Sequence, residues 1–154
     1  MFAQQIDEAR LMHVLIQRNP LTLEEYDEVL GRAKQLSLVA RARPKEKLRG
    51  LLVIRGDQPP SPSVRERVVE LEDLAPCWDI AMVFDCVMIR TIESAVACLG
   101  GNPRRRRAVF ARVEEASGWL LAGGADGLSL NAMYRRAERE FSERGGEMPL
   151  RRPA

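Results

Sequence analysis

Cys86 stands where an apolar run, Ile80-Ala81-Met82-Val83-Phe84, meets Asp85 and then an amphipathic stretch opening with Val87-Met88-Ile89-Arg90. A thiol at a helix start is the one arrangement in this chain suited to covalent chemistry, because the helix dipole favours a thiolate. Arg90, one turn later on the same face, would add positive charge. A phosphate loop with this pair of residues separates them by five positions and wraps the anion in backbone amides. Here only Val87, Met88 and Ile89 intervene, without a glycine. Bulky apolar side chains of this kind point to helix packing, and the neighbouring Asp85 opposes thiolate formation. A cysteine-dependent enzyme is therefore the weakest reading, and no catalytic residue is assigned.

The remaining polar residues supply no better constellation. His13, the single histidine, alternates along a predicted strand with no nucleophile in a recognisable motif. It reads as a structural or surface histidine, since a general base needs a positioned nucleophile. Glu24, Glu25, Asp27 and Glu28 look like the solvated, dipole-matched start of a helix. Cys77, Cys86 and Cys98 are odd in number and lack CxxC spacing, which argues against a disulfide framework and a zinc site. No metal or cofactor is expected, and the cysteine usage fits a reducing cytoplasm. Arg104 to Arg107 form the strongest charge run, yet no RNA-binding aromatic motif interleaves with it and aromatic content is only 5%. A solvated loop, paired with acidic residues of a partner, is the expected role, and nucleic acid is disfavoured. A net charge of +2 adds no argument for a polyanionic partner.

The elements that must position these residues follow from periodicity and punctuation. The 154 residues, 45% apolar and 30% charged, suit one folded domain. No apolar run reaches the roughly 20 residues of a membrane span. Phe2 to Ile6 and Leu11 to Gln17 read as strands around the turn Asp7-Glu8-Ala9-Arg10. Thr22 and Glu25 form a capping-box pattern, after which Leu23, Tyr26, Leu30 and Ala33 align on one helical face. Leu48 to Ile54 and Ile80 to Phe84 are runs of the kind covered on both faces in parallel sheets. Between them, Ser61-Pro62 reads as an N-cap with proline at the first helical position, with Ser63 and Glu66 as a competing capping box. Val64, Val68, Leu71 and Leu74 would be the buried positions of that helix. Asp85 is expected to cap the next helix, with Met88, Ile89, Ile92, Ala95, Val96 and Leu99 as its packing stripe. Arg107 to Ala111 gives a last strand and Val113 to Leu121 a helix. A further helix spans Leu128 to Arg144, with Leu130, Met133, Tyr134, Ala137 and Phe141 aligned, before a frayed tail. The order predicts an α/β fold with a mixed, mostly parallel sheet, an amino-terminal hairpin and flanking helices. The expected division is a domain over 1–123 and a helical extension over 124–154.

Several of these segments resemble the STAS-like family related to the sporulation anti-sigma factor antagonist. The likeness is carried by Leu21 to Tyr26, Gly50 to Ile54, Ile80 to Val83 with Val87 to Arg90, and Arg107 to Phe110 with Val113 to Ala116. It implies a non-enzymatic regulatory domain that binds another protein: a regulator, a kinase or a component of a sigma-factor pathway. A homodimer is compatible with it, and small-ligand or lipid binding is the alternative. The antagonists carry a phosphorylatable serine in an Asp-Ser-Ser-Gly stretch before the second helix. This chain has Gly56-Asp57-Gln58-Pro59-Pro60-Ser61-Pro62-Ser63 there, without the motif. Ser61 and Ser63 occupy the corresponding region as candidate phosphorylation sites. Asp57, Ser61, Ser63, Asp85 and Arg90 are the expected partner-binding residues.

Overall fold

Strands β1 (Phe2–Asp7) and β2 (Met12–Arg18) pair antiparallel, with Gln4 opposite Leu15 and Asp7 opposite Met12. Asp7 closes their turn by accepting hydrogen bonds from the backbone N–H and the guanidinium of Arg10. The computed structural model describes residues 1–145. After the hairpin come α1 (Leu23–Arg41), β3 (Leu48–Arg55), α2 (Pro62–Leu74), β4 (Trp78–Phe84) and α3 (Val87–Cys98). The chain continues through β5 (Arg105–Phe110), α4 (Val113–Ala122) and α5 (Gly127–Glu143). Strands β2 to β5 are parallel, so one mixed sheet runs β1-β2-β3-β4-β5. The α/β class, the hairpin and the mostly parallel sheet are those the sequence pattern implies. No helix among the described residues is long and apolar enough to cross a membrane.

Caps fix several helix starts. Thr22 and Glu25 form the reciprocal capping box on α1, and Ser61 caps α2 with Pro62 at its first position. Asp126 accepts from the Ser129 N–H at the start of α5. The expected face of α1 is displaced: Leu30 is buried as expected, but Leu23 is exposed and Tyr26 and Ala33 are half-buried, while Val29, Leu36 and Ala40 are buried. Val29 joins Phe2, Leu15 and Leu21 in one cluster, which sets the rotation of the helix. In α2 only Val64 is buried, while Val68, Leu71 and Leu74 are half-buried. That helix packs chiefly on α1 rather than squarely on the sheet.

Side chains alternate across the strands and build two cores. Met12, Val14, Ile16, Leu51, Val53, Ala81 and Val83 point toward α4 and α5, where Ala116, Leu120, Leu130, Met133, Ala137 and Phe141 meet them. On the opposite face Leu11, Leu48 and Trp78 pack with Leu36 and Ala40 of α1. Helix α5 thus shares a core with α4 and the sheet, across the 123/124 division. The expected frayed tail lies mostly outside the described residues.

Arg105 to Arg107 lie on β5 and not in a solvated loop, Arg104 stands exposed in the turn before the strand, and the partners of all four are within this chain. Arg105 pairs with Asp73 at 3.1 Å, and Arg107 pairs with Glu72. Arg106 donates two hydrogen bonds, of 2.9 and 2.6 Å, to the fully buried Asp79. Arg104 donates to the Pro44 carbonyl. Alternation along the strand sends Arg105 and Arg107 to one face and Arg106 to the other. Burial pushes the Asp79 carboxyl up, but hydrogen bonds from Arg106 and Lys47 outweigh it and hold the group below the usual range. On an open edge strand these arginines also discourage sheet-to-sheet aggregation.

Candidate functional site

At the carboxyl ends of β2, β3 and β4 three connections are joined by hydrogen bonds into one platform. The Gly56 N–H donates to Asp85 Oδ1 at 3.1 Å, linking the connection after β3 to the one after β4. Asn19 ties in the connection after β2: its N–H donates to the Arg55 carbonyl at 2.8 Å and its Nδ2 to the Gln58 carbonyl at 3.1 Å. Gln17 Nε2 in turn donates to Asn19 Oδ1, also at 2.8 Å, which fixes the amide. Arg55 Nε lies 3.5 Å from Asp85 Oδ2. The carboxyl edge of a parallel sheet is where α/β folds ordinarily present their binding residues.

Gly56 is indispensable to this arrangement. Its φ of +97° is left-handed, and a Cβ would stand 2.8 Å from the Asn19 carbonyl oxygen. Gly56→Ala is expected to cost about 1–3 kcal/mol in a denaturant titration, from backbone strain alone. An effect near zero would mean that the three connections are not locked together.

The expected binding residues divide into exposed and engaged groups. Asp57, Ser61 and Ser63 are exposed on the platform. Ser61 Oγ accepts from the Val64 N–H at 3.5 Å and lies 3.1 Å from Ser63 Oγ, so Ser61, and not Ser63, caps α2. Arg65 Nε donates to the Pro60 carbonyl nearby. Asp85 does not cap α3 as expected. The N-cap is Cys86, without a side-chain cap bond, because the helix starts one residue later and the Asp85 carboxylate turns to Gly56 and Arg55. Arg90 reaches the same edge, but its Nη1 donates to the Phe84 carbonyl at 3.1 Å. Cys86 is a half-buried free thiol.

The expected packing stripe of α3 is largely overturned. Of Met88, Ile89, Ile92, Ala95, Val96 and Leu99, only Ile89 is buried. Sequence reasoning also missed Asn19 and Arg55, whose roles depend on which connections lie side by side. A mixed groove of about 220 Å³ lies between α1 and α2, with Leu30, Leu71 and Leu74 beside Lys34, Arg67 and Glu70. Among the described residues no group of three or more His, Cys, Asp or Glu side chains is placed to hold a metal ion.

No family model matches this chain, and no curated protein or solved structure matches it either.

Proposed function

We propose that this chain is a non-enzymatic regulatory module of the STAS-like kind, which binds another protein through the carboxyl edge of its sheet. The observation that carries this reading is the hydrogen-bonded platform, which fixes Gly56, Asn19 and Asp85 to one another and leaves Asp57, Ser61 and Ser63 exposed. Rigid polar groups on preorganised connections suit recognition, because little entropy is lost when they are bound. The hairpin-first mixed sheet agrees with the fold that the STAS resemblance implies. Ser61 and Ser63 stand at the start of α2, where a phosphate would meet the positive end of the helix, with Arg65 close in sequence. Small-ligand or lipid binding is the rival function.

Affinity purification with the whole chain tests the reading. The wild type is expected to retain a specific protein, and Asp57→Lys and Ser63→Glu each to reduce its recovery about ten-fold or more, with unchanged circular dichroism. Recovery of no specific protein, or equal recovery by all three chains, would count against it. A small molecule found bound by native mass spectrometry, with no protein retained, would favour the rival.

A further inference from the structure

Helix α3 carries its apolar side outward. Positions 87, 88, 91, 92, 95, 96, 98 and 99 form the outer half of the helix at 100° per residue, and none is charged. Val87, Met88, Ile92, Val96 and Leu99 are between 47% and 85% exposed. The charged residues and Ser94 lie on the other side, where Arg90 donates to the Phe84 carbonyl and Glu93 and Ser94 are half-buried; the outer Thr91 turns its hydroxyl to the Val87 carbonyl at 2.9 Å. Burial pushes the Glu93 carboxyl up, partly offset by Arg65. A surface helix ordinarily shows the reverse, with its charges in water.

Charge and area indicate what covers this face. Of the cations that follow α3 in the chain, Arg105, Arg106 and Arg107 are ion-paired with Asp73, Asp79 and Glu72, whereas Arg104 meets the neutral Pro44 carbonyl and keeps its charge. They leave little spare positive field to draw the helix onto an anionic membrane. A face without charge meets its own copy without like-charge repulsion, so a contact across a two-fold axis carries no electrostatic penalty. Its five large side chains expose on the order of 500 Å² of apolar surface, comparable with the largest patches of monomers, which are often functional. Two such faces together bury at most about 1,000 Å², at the threshold a specific interface must clear and below the usual range of stable ones.

We propose that α3 is a self-association surface, packed antiparallel against α3 of a second copy of this chain. Met88 then lies opposite the second copy's Leu99, and Ile92 opposite its Ala95. The two platforms fall at opposite ends of the helix pair and remain free to bind.

Sedimentation velocity on the full chain tests this over the micromolar range. The wild type is expected to sediment as a dimer. Ile92→Glu places two like charges at the axis and is expected to raise the dissociation constant about a hundred-fold or more. Met88→Glu, at another exposed position, should act in the same direction, and circular dichroism of both variants should match the wild type. Leu128→Glu, at an 87% exposed apolar residue of α5, should sediment like the wild type. A monomeric wild type, or a dimer indifferent to Ile92→Glu and Met88→Glu, overturns the proposal. So does a monomer that cosediments with phosphatidylserine vesicles, or one that holds a different protein on α3.

Discussion

Phe141→Ala is expected to lower the unfolding free energy by about 3–5 kcal/mol, the cost of removing a fully buried phenylalanine. Phe141 has no exposed surface and lies in the cluster that joins Met133 and Ala137 of α5 to Val14, Ile16 and Val53 of the sheet. Gln5 donates to Glu140 across the same contact, and Arg144 donates to the Phe2 carbonyl at 2.9 Å. A domain of this size has about 5–15 kcal/mol in total, so the loss is a large fraction of its stability. Urea unfolding measures it as a shift in midpoint at constant slope. A change below about 1 kcal/mol would mean that α5 is appended to the fold, as the division at 123/124 supposes.

His13 is expected to make folding strongly dependent on pH between about 4 and 6.5. It is 8% exposed, and Gln4 Nε2 lies 2.9 Å from its Nε2 while also donating to the Val29 carbonyl at 3.1 Å. The Gln4 amide nitrogen can only donate, so His13 Nε2 accepts and the ring is neutral, with its proton on Nδ1. Burial, assisted by the positive charge of Arg32, lowers its pKa to about 4. The unfolded chain binds the proton more readily, near pH 6.5. Stability is therefore fully present above about pH 6.5 and is lost as pH falls toward 4, below which this group adds no further change. Linkage sets the total at about 3 kcal/mol, of which about 2 kcal/mol is lost by pH 5. Denaturant titrations of the wild type and His13→Gln at pH 8 and pH 5 isolate the effect, because the variant lacks this component. Equal pH dependence in the two chains would place His13 in water.

The elements were legible in the sequence because each is written in neighbouring residues. The Thr22/Glu25 box, the Ser61-Pro62 cap and the apolar run in Leu51 to Ile54 act within a few positions of themselves, and the structure puts them where local chemistry requires. Contacts between distant residues were not legible. Arg106 meets Asp79 because the register of β4 and β5 sets them opposite each other, and no spacing rule reports that register. Locally Asp85 has the pattern of a cap, but Gly56, twenty-nine positions away, takes its carboxylate. The orientation of α3 was hidden for a related reason. Its period is helical whichever side faces the sheet, and a backbone carbonyl at Phe84 satisfies Arg90 on the inner side. Of the candidate site, the sequence located the carboxyl-edge connections and the exposed Asp57, Ser61 and Ser63. Asn19, which joins them, lies in another connection and became visible only in three dimensions.

Hydrogen–deuterium exchange on the full chain, alone and bound to the protein it retains, tests the docking edge most directly. Binding is expected to slow exchange at 56–63 and 85–90 and to leave the outer face of α5, at Arg135 and Arg139, unchanged. Protection confined to α5, with both connections exchanging as in the free chain, would contradict a docking site at the carboxyl edge.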